Sequence, residues 1–520
     1  VAALAVSELR VPATGPADGV LGDVLRRAVR LAPDAVLLST PETGERWTAT
    51  ELLDAAGSVA AGLLARHAPG ARVATCLGNG PAAVLLQLGT ALAGMTLVPV
   101  NPRSRPAEVE HALRLSGAVL AVAAEEVAGN PVADLCAAVE GVDVVRVGVD
   151  WRAAVPWATP GELPAVDPQS LAQVQFTSGT TGRAKGVRIT HAGMVATGTA
   201  FAERLGPTTG RVWCNPMPLF HTAGNVLGVV GALASGAEHV VLPFAPGPVL
   251  RVVEERQVTL LSAAPTLLDL LAAHPDLART DLSSLRVLFT GGMTVTPAFV
   301  DRVEQVFGAR LSITFGMTET CGAVLQTSPE DPDPVRRETV GAPLAGTDVR
   351  IAGPDGAAVA PGTPGELWVR GERITRGYLD DPVATAEAID ADGWLHTGDL
   401  AEMDGRGACR VVGRLKDMIK TGGENVSPVE VEEVLVAHPD IARAAVVGVP
   451  DPRWGELVVA FVVPAGDRDP SPDELTRHCR DRLSPFKVPR HWRVVDELPM
   501  TASAKVQRAE LRRIAAADAG

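Results

Sequence analysis

A chain of 520 residues with 46% hydrophobic and 21% charged side chains has the composition of a globular protein with ample core, and its length calls for two or more domains. A net charge of −14 excludes a general nucleic-acid binder, which would carry a basic face, but not a nucleotide ligand, which needs only local positive charge. Six cysteines with no C-x-x-C pair exclude a disulfide framework or zinc ribbon and suit a reducing, cytoplasmic setting.

The N-terminal stretch VAALAVSELRVPATGPADGV lacks a basic segment before its short apolar start, so it does not read as a signal peptide. Residues 71–124 alternate short Val/Leu/Ala-rich runs with longer amphipathic ones, the β-α-β-α signature of a parallel sheet covered by helices. The longest apolar run, 226–244, is broken by Ser235, Glu238 and His239 and is too interrupted to span a bilayer. The strand and helix pattern recurs through VTLLSAAPTLLDLLAAH (258–274), LRVLFTGG (285–292), VTPAFVDRVEQVF (295–307) and ARLSITFG (309–316). Glycine and proline then cluster over 341–371, where DVRIAG and GELWVRG predict small antiparallel strands. A boundary is expected near GRLKDMIKTGG (413–423). RGACRVVG before it reads as a strand; SPVEVEEVLVAHP after it reads as a helix with Ser427 as N-cap and Pro428 at its first position. IARAAVVGVPD, ELVVAFVVPAG, DELTRHCRDRL and WRVVDELP complete a small β-β-α-β unit. The expected division is a large α/β domain over 1–413 and a small α+β domain over 414–520, and there is no internal repeat at solenoid periods.

Six stretches carry chemistry. TSGTTGRAKGV (177–187) follows an apolar run and joins glycines, hydroxyls and one lysine, which is what a polyphosphate needs, yet Lys185 does not have the spacing of a P-loop. PLFHTAG (218–224) places a histidine at a strand-to-helix junction. TFGMTET (314–320) ends a strand with an aromatic residue, a glycine and Thr318-Glu319, and DGWLHTGDL (392–400) sets Asp399 in a tight turn. GRLKDMIKTGGEN (413–425) combines Arg414, Lys416 and paired glycines; LPMTASAKVQR (498–508) holds Lys505 among small residues.

Taken in this order, from about residue 20 to about residue 515, the stretches resemble the adenylate-forming superfamily of acyl- and aryl-CoA ligases, luciferases and peptide-synthetase adenylation domains. The resemblance implies layered parallel sheets with helices and a small β-barrel-like subdomain in the large domain, and a small mobile C-terminal domain. Thr177, Ser178, Gly179, Thr180, Thr181, Gly182 and Lys185 would hold the β- and γ-phosphates of ATP. Thr318 and Glu319 would contact phosphate and Mg2+, for which a carboxylate oxygen is the fitting ligand. Phe315 and the run Gly291-Gly292-Met293 would flank adenine, and Asp399 and Arg414 would meet the ribose hydroxyls. Lys505 would stabilise the charge that builds when a carboxylate attacks the α-phosphate, although the usual glycine before it is Ala504 here.

By the same resemblance His221 gates the passage between acyl pocket and thiol tunnel, and Lys416 is the hinge about which the small domain turns. Ala200, Thr222, Ala223, Ser262, Thr290, Thr314, Gly316, Cys321 and Gly322 would line the acyl pocket, a small and hydroxylated wall that suits an aromatic or medium-chain acid. The stretch FHTAGNVLG, where amino-acid-activating relatives carry an Asp, contains no carboxylate, which disfavours an α-amino acid. Gly422 and Gly423 would line the pantetheine tunnel. Arg103, Lys487 and Arg490 would meet CoA phosphates, with Trp454 and Phe486 beside its adenine. CoA is the expected acceptor, a carrier-protein thiol or another nucleophile the alternative, and a non-catalytic nucleotide binder a distant third. A monomer or homodimer is expected.

Overall fold

The computed structural model describes the chain apart from residues 1–3, 14–18, 156, 160, 178–183, 207–209, 294, 467, 501–505 and 518–520. Its described strands form four sheets.

The first sheet has six strands in the order Asp143–Val147, Leu120–Ala124, Arg72–Cys76, Thr96–Pro99, Leu171–Phe176 and Gly186–Thr190. The first five run parallel, and only the last pair is antiparallel. Successive residues of a strand face opposite ways, so Val73, Leu120 and Val122 enter one apolar cluster while Ala74, Ala121 and Ala123 enter another. Both faces are buried, which is why these segments read as continuous apolar runs and not as alternation.

The second sheet runs Ala342–Pro343, Leu325–Gln326, Arg310–Phe315, Val287–Gly291, Leu260–Ser262, Val212–Asn215, Glu238–Val241, Val36–Thr40 and Glu45–Thr48, with a parallel centre and antiparallel edges. The helix His191–Arg204 packs between the two sheets' cores. It is started by Thr190, whose hydroxyl accepts from the Gly193 amide at 3.1 Å. The third sheet is wholly antiparallel: Glu8–Arg10, Thr347–Ala352, Gly365–Gly371, Leu395–Met403 and Cys409–Arg414. Burial in Leu395–Met403 alternates residue by residue, as one covered face requires.

The fourth sheet begins only at Ile419–Thr421. It orders Glu424–Val426, Ile419–Thr421, Gly455–Pro464 and Ile441–Asp451, with His491–Val494 parallel to Gly455–Pro464. The change of sheet therefore falls within residues 415–418. Ser427 stands at the N-cap of helix Pro428–Val436, as expected, but its hydroxyl makes no cap bond; it donates to the Val412 carbonyl. That side chain ties the start of the small unit to the last strand of the large one. All six cysteines are buried and free. Among the described residues no helix is long and apolar enough to cross a membrane.

Two histidines are sealed in these cores. Burial lowers His191 to about 4 and His239 to about 3, and both are essentially inaccessible. Each is neutral when folded but protonates near pH 6.5 when unfolded, so stability is full above pH 6.5 and is lost as pH falls toward the folded values. By pH 5 the loss is about 2 kcal/mol per histidine. Urea midpoints at pH 7 and pH 5 check this, and His239→Gln should reduce the difference. Equal midpoints in the wild-type protein at the two pH values refute it.

Candidate active site

The hairpin between Leu171–Phe176 and Gly186–Thr190 carries the Thr/Ser/Gly loop. Its base is closed by the Thr177 amide donating to the Lys185 carbonyl at 3.1 Å and the Lys185 amide donating to the Thr177 hydroxyl at 3.3 Å. A strand, not a helix, follows the loop, unlike the helix N-terminus that receives phosphate in a P-loop. The loop interior, Ser178, Gly179, Thr180, Thr181 and Gly182, lies outside the described residues, as does Lys505.

Glu319 sits in the short turn Thr318–Thr320 that follows strand Arg310–Phe315, and it is 7% exposed. Its Oε1 accepts a hydrogen bond from the Tyr378 hydroxyl at 2.9 Å. The ring of that tyrosine lies 4.6 Å from the Lys185 ammonium. Lys185 and Glu319, 134 positions apart in sequence, are thus joined through one side chain. Tyr378 was not among the residues singled out from sequence. It is the chain's only tyrosine, and that rarity was the available signal.

Asp399 departs from the expected tight turn. It lies inside strand Leu395–Met403 at 5% exposure, because its register partner across the sheet is Arg414. The guanidinium grips the carboxylate with two bonds, Nε to Oδ1 at 2.6 Å and Nη2 to Oδ2 at 3.2 Å. The bond to Asp399 pushes the Arg414 pKa up, against burial, with Asp417 and Glu319 adding to the same field. The proposed ribose contacts therefore form one unit, within electrostatic reach of Glu319.

Gly291 closes strand Val287–Gly291, and Gly292 and Met293 follow it; Phe315 packs half-buried on the core of the third sheet. Of the predicted acyl wall, Gly316, Gly322 and Thr222 come together. A Cβ on Gly316 would meet the Gly322 carbonyl oxygen at 2.3 Å, and one on Gly322, at φ +106°, would meet Thr222 Cβ at 3.1 Å. Ala200, Thr290 and Cys321 are buried, and burial pushes the Cys321 thiol up to about 12, so it is no nucleophile. Two hydroxyls are already engaged. Ser262 accepts from the Trp213 indole at 2.8 Å, and Thr314 donates to the Leu325 carbonyl at 2.9 Å. The wall consequently offers fewer polar contacts to a ligand than its composition suggests.

His221 is half-buried with its ring centroid 4.7 Å from that of Phe220. Its carbonyl accepts from the amides of Gly224 and Asn225, at the start of a π-helical stretch, Ala223–Val230. Such stretches recur at functional sites because they re-aim side chains.

Lys416 occupies the single turn Leu415–Asp417 between the third and fourth sheets; burial, then Arg414, lowers its pKa. Gly422 and Gly423, at φ +61° and +86°, form a two-residue hairpin turn of the type that needs both values positive. The Gly422 amide donates to the Trp454 carbonyl at 2.8 Å, and Arg490 covers the Trp454 ring at 4.1 Å. Gly422, Trp454 and Arg490 are thereby gathered. Lys487 is engaged elsewhere, with Nζ 2.6 and 2.8 Å from the two oxygens of Glu430 and 5.8 Å from the Phe486 ring. Arg103 is exposed beyond strand Thr96–Pro99 in the first sheet, where its amide donates to Asn101.

Residues 25–379 match the AMP-binding enzyme family, and residues 430–505 match the AMP-binding enzyme C-terminal domain. The chain belongs to this family. Feruloyl-CoA synthase of Amycolatopsis sp is 38% identical over 95% of this chain and 98% of its own length. The crystal structure of ATP-bound MatB from Rhodopseudomonas palustris superposes with a TM-score of 0.87 at 27% identity, covering 95% of this chain and 98% of that one. The amide bond synthetase McbA from Marinactinospora thermotolerans gives a TM-score of 0.85 at 31% identity, covering 95% and 99%. The α/β architecture, with parallel sheets in a large N-terminal part and a smaller C-terminal part, is the family's.

Proposed function

We propose that this AMP-binding enzyme activates an aryl or medium-chain carboxylic acid with ATP and passes it to coenzyme A. The observation that carries the reading is the joined set Lys185–Tyr378–Glu319, with the Asp399–Arg414 pair within its field. One end suits a polyphosphate, the other a pair of ribose hydroxyls. Glu319 keeps its second oxygen without a hydrogen-bond partner among the described residues, which fits a hard cation. Mg2+ bound there would neutralise phosphate charge.

In the first half-reaction a carboxylate oxygen attacks the α-phosphorus. The bond from that phosphorus to the bridging oxygen breaks, and pyrophosphate leaves with the electron pair. Lys185 and the hydroxyl loop hold the departing phosphates; Lys505 stabilises the crowded α-phosphate. In the second, the CoA sulfur attacks the acyl carbon, the bond to the AMP oxygen breaks, and the thiol proton is released to solvent. Trp454, Arg490 and the Gly422-Gly423 turn would receive the CoA arm after the small domain turns about Lys416.

The wall supports the choice of acid. With Ser262 and Thr314 engaged and no charged residue among Ala200, Thr222, Ala223, Gly316 and Gly322, the pocket favours an apolar or aromatic body. The relative that forms feruloyl-CoA supports an aryl acid. The likeness to an amide bond synthetase supports a second reading, in which another nucleophile, such as an amine or a carrier-protein thiol, takes the acyl group.

A panel of aryl and C6–C10 carboxylates, scored by pyrophosphate release, tests the first step. Release with an aryl or medium-chain acid, followed by AMP release that depends on CoA, is the expected result. AMP release driven by an amine or holo-carrier protein, and not by CoA, moves the assignment to the second reading. No release with any acid removes it.

A further inference from the structure

Backbone and side-chain bonds make the segment Thr375–Leu379 a clamp between two parts of the site. On one side, the Thr375 amide donates to the Glu319 carbonyl at 2.8 Å, and the Tyr378 hydroxyl donates to Glu319 Oε1 at 2.9 Å. On the other, the Arg188 amide donates to the Gly377 carbonyl at 3.0 Å, the Arg376 amide to the Arg188 carbonyl at 3.1 Å, and the Leu379 amide to the Gly186 carbonyl at 2.8 Å. The Thr375 hydroxyl adds a bond to the Arg188 carbonyl at 2.8 Å. Residues 186–188 are the strand that leaves the phosphate loop directly after Lys185. The clamp thus fixes the height of the loop's cation relative to the buried carboxylate.

We infer that Tyr378 is a positioning residue that couples Lys185 to Glu319. Its phenol holds one carboxylate oxygen, so the other faces the arriving cation, and its ring parks the Lys185 ammonium until phosphate replaces it. The inference rests on the proposed nucleotide site and adds to it a residue that touches neither the acid nor the scissile bond.

The chain's single tyrosine makes the test specific, since protein labelled with 13Cζ-tyrosine gives one tyrosine resonance. Adding α,β-methylene-ATP and then Mg2+ to wild-type protein is expected to shift that resonance, with a separate step on Mg2+. Tyr378→Phe keeps the ring and removes the hydroxyl. It should raise the Mg2+ concentration for half-maximal pyrophosphate release about tenfold, with KM for the acid unchanged, because one hydrogen bond to a charged group is lost. A resonance that stays fixed while calorimetry shows the analogue bound overturns the inference alone, as does unaltered Mg2+ dependence in a folded Tyr378→Phe. Absence of any nucleotide binding by calorimetry overturns the site reading, and this inference with it.

Discussion

Lys505→Ala is expected to slow acyl-adenylate formation by about 10²–10³-fold, the usual cost of removing one charge-stabilising donor from a reacting centre. Thioester formation from synthetic acyl-AMP should stay close to wild type, because the phosphoric anhydride has by then been broken. Lys505→Arg, which keeps the charge on a longer head group, should fall between the two. The residues on either side of this segment are tied to each other. The Gln507 amide donates to the Pro499 carbonyl at 2.8 Å, the Gln507 side chain to the Met500 carbonyl at 2.6 Å, and Met500 pairs with Val506. Pro499 and Met500 are thus bonded to Val506 and Gln507. The helix that follows is bolted down too: Arg508 bonds Glu432, and Arg512 bonds Asp417 at 2.9 Å. Asp417 directly follows the proposed hinge. A turn at Lys416 would therefore carry the helix after residue 507 with the rest of the small unit. Pyrophosphate release and thioester formation measured separately on the variant decide the matter; equal losses in both would place Lys505 outside the first step.

The hinge gives the second large effect. Proline at 416 fixes φ near −65° and removes an amide in the one turn that separates the third and fourth sheets. Lys416→Pro should leave adenylate formation within a few-fold of wild type and reduce thioester formation by about 10²-fold, the scale of a misplaced catalytic group. Lys416→Ala, which leaves the backbone free, should spare both steps. A proline variant that loses adenylation and keeps thioester formation would remove the hinge assignment. Ser427 is a useful comparison, since its hydroxyl bond to the Val412 carbonyl spans the same junction and must break or follow if the units turn.

Sequence by itself determined the elements and their class. Val/Leu/Ala runs such as RVATC and LAVAA are buried on both faces, so a parallel sheet under helices was readable from composition alone. The order of the motifs was an equally local signal, and the family followed from it. Tertiary structure decided what each polar side chain is bonded to. Asp399 reads as a turn residue because Thr-Gly-Asp is a turn sequence, but its place in a strand is set by Arg414 across the sheet. Ser262 and Thr314 read as available hydroxyls until Trp213 and Leu325 are brought against them. Lys487 reads as a free cation until Glu430 meets it, and Tyr378 carries no motif of its own until folding sets it between Lys185 and Glu319. Periodicity and turn chemistry act between near neighbours and so are written along the chain. A hydrogen-bond partner supplied from tens or hundreds of residues away is selected only when the sheets have packed.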